Sequence, residues 1–195
     1  MTIPDSTKAL ERLLDGNRRF MAGHPVHPHQ GADRRAELVG GQKPFAAIFT
    51  CSDSRVPPEI IFDCGLGDLF VMRAAGNVLD KLLLGSIEYA AEHLGVGLVM
   101  VLGHSHCGAV TAAVEGSHAS GHIKSLTKRI RPAVEQAAAS GGDAIDAAVT
   151  ANVQLAVAKL RASEPILAHL IAEGKLLIVG ARYELESGEV RLLDG

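Results

Sequence analysis

Tryptophan is absent from this sequence, and aromatic residues make up only 4 % of it. A core must therefore be built from leucine, isoleucine, valine and alanine. The 47 % of hydrophobic residues is ample for that without disulfide staples. An excess of either charge is missing too. The 19 basic and 22 acidic residues leave a net charge of −3, with no basic stripe and no run of like charges, which argues against nucleic acid as a partner. No apolar run is long enough to span a bilayer, the longest being stretches such as VGLVMVL at 96–102. The opening MTIPDSTKALERLL lacks the basic start and apolar stretch of a secretory signal, so a cytoplasmic chain without a membrane partner is expected. The glycines of GLGD and GHSHCG fit neither a dinucleotide fingerprint nor a P-loop. Cysteine is scarce and odd in number: Cys51, Cys64 and Cys107. In a reducing compartment that pattern points to metal ligands or free thiols rather than to a disulfide framework.

What is present has a regular beat. Residues 5–22 read as an amphipathic helix capped by Asp5 or Ser6, with Leu10, Leu13, Leu14, Phe20 and Met21 near one face. GHPVHPHQG then breaks the pattern. Short apolar runs follow at 44–50, 68–73, 97–103 and 175–185. They alternate with helical stretches at 79–95, 107–116, 121–139 and 142–173, the last interrupted by Pro165. A return strand is expected after the ESG turn at 186–188. Apolar runs alternating with helices predict an α/β fold: a mostly parallel central sheet flanked by helices, with an N-terminal helical arm and an antiparallel C-terminal extension. The expected organisation is one domain over 1–195, with 1–36 as an arm packing on a partner subunit and 37–195 as the core.

Chemistry in such sheets gathers beyond the carboxyl ends of the strands. The first run ends at Cys51 and the third at His104, with Cys107 three residues on across a strand-to-helix turn. Two thiols and an imidazole suit zinc, and three protein ligands leave a fourth position open, as in a catalytic site. In CSDSRVPPE, Asp53 can reach the open side of such an ion and Arg55 can grip that carboxylate. Asp53 is thus either a hydrogen-bond acceptor beside the metal or a fourth ligand in a closed state. His24, His27 and His29 form a rival cluster, but their prolines fix an extended shape that spreads the imidazoles, and no acidic or thiol partner is expected beside them. His106 should point away from the site, and Cys64 reads as a buried free thiol.

CSDSR and GHSHCG, the patterns C-x-D-x-R and H-x-x-C, resemble the two metal-binding segments of the β-class carbonic anhydrases. The resemblance runs through GQKPFAAIFTCSDSRVPPEIIFDCGLGDLFVMRAAGNV, GSIEYAAEHLGV and ANV at 151–153, and covers about residues 7–194. It implies one zinc per chain on Cys51, His104 and Cys107, and reversible hydration of carbon dioxide to bicarbonate and a proton by zinc-bound hydroxide, with Asp53 and Arg55 as the dyad beside it. It further implies that Gln42 binds substrate across a subunit boundary, that Phe70, Tyr89 and Ala75 line the apolar pocket, and that Gly108 is a backbone donor near the metal. Ala75 replaces the valine frequent at its position, and Ile48 and Thr50 stand where a bicarbonate-regulated member carries tryptophan and glycine, so such regulation is not expected. A homodimer or homotetramer is implied. The alternatives are hydrolysis of carbonyl sulfide or carbon disulfide on the same site, and a non-enzymatic zinc- or bicarbonate-sensing protein.

Overall fold

The structure, a computed structural model, describes residues 5–116, 119–139 and 142–194. Residues 1–4, at the head of the expected arm, lie outside the described residues. Five strands form one sheet: β1 (Ala46–Thr50), β2 (Leu69–Arg73), β3 (Leu98–His104), β4 (Leu177–Tyr183) and β5 (Val190–Leu193). Their spatial order is β2-β1-β3-β4-β5, parallel except for the antiparallel β4–β5 pair. The expected α/β architecture and its antiparallel C-terminal extension are both present.

Why β1 and β3 read as unbroken apolar runs is plain from their place. They are central strands covered on both faces, and every residue of each is buried. Alternation along the strands divides the core in two. Ile48, Leu98, Met100 and Leu102 face one cluster; Ala47, Phe49, Val99 and Val101 face the other. On the first face pack α1 (Asp5–Met21), α5 (Gly108–Val114) and α6 (Ile123–Ala137). On the second pack α4 (Lys81–Glu92) and α8 (Leu167–Ala172), while the long α7 (Ala144–Arg161) contributes to both. Asp80 caps α4 by accepting from Leu82 N and Leu83 N, and Asp143 caps α7 by accepting from Ile145 N and Asp146 N. Pro165 falls in the break between α7 and α8, as its lack of an N–H predicts.

Two short helices escaped the pattern reading, α2 (Ala32–Glu37) and α3 (Pro58–Ile61). Six and four residues are too few to display a helical period. Of the expected face of α1, Leu13 is buried and Leu10 and Phe20 pack on the core, but Met21 is exposed and the buried positions include Ala9, Gly16 and Asn17. The cause is close packing, since a Cβ at Gly16 would stand 1.8 Å from the carbonyl oxygen of Phe62. Asn17 completes the docking of α1 on its own chain. Its Nδ2 donates to Ile61 O at 3.2 Å and Gly188 O at 2.8 Å, and its Oδ1 accepts from Val190 N at 2.9 Å. Asn17→Ala leaves these buried backbone groups unpaired, and stability is expected to fall by about 1–3 kcal/mol or more, read as a lower urea midpoint. An unchanged midpoint would show that water replaces the amide without loss.

The histidine-rich excursion is not isolated from acids, contrary to expectation. Asp63 accepts from Val26 N and His27 N, each at 2.9 Å, and from Arg19 Nε at 2.6 Å. Asp68 meets His29 Nδ1 and Arg12 Nη2, both at 2.9 Å. Two buried carboxylates from the β1–β2 connection thus pin this segment, and His27 and His29 take left-handed backbone conformations rather than a purely extended one. None of its histidines joins a metal-binding group among the described residues.

Candidate metal centre

Cys51 follows β1 directly, and His104 is the last residue of β3, its neighbour in the sheet. With Thr50 paired to Leu102, the two side chains emerge at one sheet edge. That end of β3 is braced from both sides, because Leu102 O accepts from Thr50 Oγ1 at 2.8 Å and from Asn77 Nδ2 at 2.7 Å. The chain then turns through His106 in a left-handed conformation (φ 53°) and returns Cys107 as the N-cap of α5. His106 itself is exposed.

Among the described residues, Cys51, His104 and Cys107 form a buried group whose ligand atoms all lie within 4.8 Å of one another. The two Sγ atoms are 4.0 Å apart. Two metal–sulfur bonds of 2.3 Å at a tetrahedral angle would need about 3.8 Å. His104 Nδ1 lies 2.8 Å from Ser105 O; a carbonyl only accepts, so Nδ1 carries the proton and Nε2 offers its lone pair. That buried Nε2 has no hydrogen-bond partner. An orphaned imidazole nitrogen beside two sulfurs is costly unless something binds it, and the donor set fits a thiophilic cation. Gly76 N donates to Cys51 Sγ at 3.2 Å, whereas Cys107 sits at the N-cap of α5 without a side-chain cap hydrogen bond. Without a metal the thiols titrate as a pair: the hydrogen bond from Cys107 holds Cys51 low, and the same bond pushes Cys107 up. Cys64 stands apart, buried and pushed up to about 12 by burial, its thiol donating to Phe62 O.

Asp53 and Arg55 lie on the rim. Arg55 grips the carboxylate in a fork, with Nε on Oδ1 at 2.9 Å and Nη2 on Oδ2 at 2.7 Å, and its backbone N also donates to Oδ1. That side-chain hydrogen bond is the chief reason the Asp53 carboxyl is held well below the usual carboxylate range. Asp53 Oδ2 comes within 3.9 Å of His104 Nε2, beside the three donors. Arg73, unnoticed in sequence, anchors the whole loop from β2 by donating to Cys51 O at 2.8 Å and Asp53 O at 2.5 Å.

The residues implied by resemblance fall into two sets. Ala75 opens the short 3₁₀ turn Ala75–Asn77 beside Cys51, and Gly108 begins α5 next to Cys107. Phe70 and Tyr89 neighbour each other, ring centroids 6.2 Å apart, but Phe70 packs with the core cluster on the opposite sheet face from Cys51 and Cys107. Gln42 is exposed and precedes β1, whereas Cys51 follows it. A single chain therefore does not gather Gln42, Phe70 and Tyr89 around its own sulfurs. Ile48 and Thr50 are wholly buried, and the Thr50 hydroxyl is committed to Leu102 O.

The sequence matches the family described as carbonic anhydrase over residues 46–190. It is 46 % identical over 190 residues to carbonic anhydrase 2 of Mycobacterium tuberculosis, covering 95 % of this chain and 92 % of that one. Among solved structures it resembles the β-carbonic anhydrase CcaA, with a TM-score of 0.76 and 30 % identity over 95 % of each chain. It also resembles the tetrameric β-carbonic anhydrases of Sordaria macrospora, with a TM-score of 0.78 and 27 % identity over 96 % of this chain and 98 % of that one. Two cysteines and a histidine brought together at the edge of a parallel sheet, in a sequence with these relatives, belong to a member of the carbonic anhydrase family, of the β class.

Proposed function

We propose that Cys51, His104 and Cys107 hold one zinc ion and that the chain catalyses reversible hydration of carbon dioxide to bicarbonate and a proton. The observation that carries this reading is the unpartnered His104 Nε2 beside two sulfurs, with an arginine-gripped carboxylate 3.9 Å away. Zinc bound there supplies a Lewis acid that acidifies a coordinated water into the neutral range, chemistry for which carbonic anhydrase is itself the reference case. Asp53, held ionised by Arg55, accepts a hydrogen from the attacking water at Oδ2 and so aims its lone pair at the carbon of carbon dioxide. Because Arg55 occupies both carboxylate oxygens, Asp53 is restrained from becoming a further metal ligand. Arg73 keeps the Cys51–Asp53 loop from drifting, so sulfur and carboxylate stay in register.

Ala75 and Gly108 border the reacting centre from the same chain; Gln42, Phe70 and Tyr89 reach it from a second copy. Two observations support that assignment: their separation from Cys51 within one chain, and an apolar face of α4 left open, with Leu82 83 % and Tyr89 47 % exposed. The assembly is a homodimer or a homotetramer built from it. Gln42 then binds a substrate oxygen, and the two rings exclude water from the apolar gas. No helix among the described residues is long and apolar enough to cross a membrane.

Stopped-flow hydration of carbon dioxide by the purified, zinc-loaded chain tests the proposal, with carbonyl sulfide and carbon disulfide assayed alongside. The expected result is rapid hydration with the sulfur gases turned over slowly or not at all. Zinc-loaded protein without hydration activity would overturn it, and preferential turnover of a sulfur gas would reassign the substrate.

A further inference from the structure

The Ala75–Asn77 turn carries the amide that meets the Cys51 sulfur, and it is held with unusual care. Gly76 has φ 67°, and a Cβ there would stand 2.7 Å from Ile130 Cδ1 and 2.9 Å from Ala109 Cβ. The turn is thus wedged against α5 and α6. Asn77, also left-handed, ties the turn to β3 through Leu102 O. A third element completes the hold: Asn152, on α7, donates from Nδ2 to Gly76 O at 2.8 Å. Asn152 and Gly76 are 76 residues apart.

We propose that Asn152 is a positioning residue for the metal centre. By holding the Gly76 carbonyl it aims the Gly76 N–H at Cys51 Sγ, fixing that sulfur's direction and moderating its electron donation. Asn152 itself is in hydrogen-bond contact with neither a sulfur nor the imidazole; it acts only through Gly76. The chemistry follows from what an N–H does to a thiolate. The hydrogen bond stabilises the sulfur lone pairs and restricts the rotation of the side chain, so the ligand is preorganised before metal arrives. Loosening Gly76 releases both restraints. Outer-shell partners of this kind typically govern about 10–100-fold in metal affinity.

The inference rests on Cys51 being a metal ligand, and cobalt(II) separates the two claims. Cobalt is loaded into the full chain in place of zinc. A sulfur-to-cobalt charge-transfer band in the parent reports thiolate ligation; its absence would sink the ligand assignment whatever Asn152 does. Two variants then test Asn152. Asn152→Leu keeps the volume and removes the donor. Asn152→Asp keeps the shape and presents an acceptor to a carbonyl, and it serves if the leucine variant does not fold. In both, the band is expected to move to longer wavelength, because a thiolate relieved of its hydrogen bond is easier to ionise. EDTA competition is expected to report about 10–100-fold weaker cobalt binding. A band that stays in place with unchanged EDTA competition, even with a lowered melting temperature, would reduce Asn152 to a structural tie between α7 and the turn.

Discussion

Cys107→Ser is expected to lose its zinc while keeping its fold. A serine hydroxyl stays protonated at neutral pH and is a poor ligand for a soft-donor site, so two protein ligands remain where three stood. The affinity loss should exceed the roughly 10–100-fold that removal of a supporting partner costs. The fold survives because position 107 is the N-cap of α5, and no side-chain cap bond is made there by cysteine. Serine is among the preferred N-cap residues, so the helix end gains a donor-satisfying oxygen. Elemental analysis after dialysis against a mild chelator reads the outcome, with a thermal melt of the metal-free protein as the control for folding. Cys64→Ser supplies the contrast: that thiol is buried away from the group and donates to Phe62 O, a contact a hydroxyl can keep, so its zinc should stay. A Cys107→Ser protein carrying full zinc would remove Cys107 from the ligand set.

The three proposed ligands were legible in the sequence because topology made them so. A parallel strand pair presents its carboxyl ends at one edge, and Cys51 and His104 terminate two apolar runs that pair as neighbours. Cys107 follows on a turn short enough to return it to the same place. The Asp53–Arg55 contact was legible because it is local, two residues apart. What holds these groups in position was not. Arg73 reaches carbonyls about twenty residues back, Asn77 reaches Leu102 O 25 residues on, and Asn152 reaches Gly76 O across 76. Each is a polar residue whose partner is a distant backbone oxygen, and such pairs leave no period or motif in the chain. ANV at 151–153 was visible only as part of a resemblance; its asparagine acquires a physical meaning once α7 is seen to lie against the turn. The clamping of the histidine-rich excursion by Asp63 and Asp68 was hidden for the same reason, since both acids sit some forty residues away.

Asp53→Asn separates positioning of the nucleophile from binding of the metal. The substitution keeps size and shape, and an asparagine Oδ1 can still accept from Arg55 N and Nε, which now meet Asp53 Oδ1 at 2.9 Å. That orientation leaves Nδ2 where Oδ2 was, so Arg55 Nη2 loses its acceptor and turns to solvent, and a donor replaces the acceptor 3.9 Å from His104 Nε2. The attacking water then loses the hydrogen-bond acceptor that orients it, and hydration should fall by roughly 10²-fold or more, the cost of a misplaced reacting group. Zinc content should be unaffected, because Asp53 is outside the three-residue ligand group. Stability should change little: Arg55 is half exposed, and solvent screens a pair at the surface. The pH dependence is the sharper check. Arg55 depresses the Asp53 carboxyl in the folded chain, so the pair stabilises the fold above the ordinary carboxylate range, and that contribution is lost only as pH falls toward the depressed value. Across the neutral range the parent carboxylate is fully ionised, and the deficit of Asp53→Asn should therefore be the same at pH 6 as at pH 9. A deficit that shrinks on acidification would mean that Asp53 takes up a proton in the working enzyme, and that Arg55 does not hold it as the geometry requires.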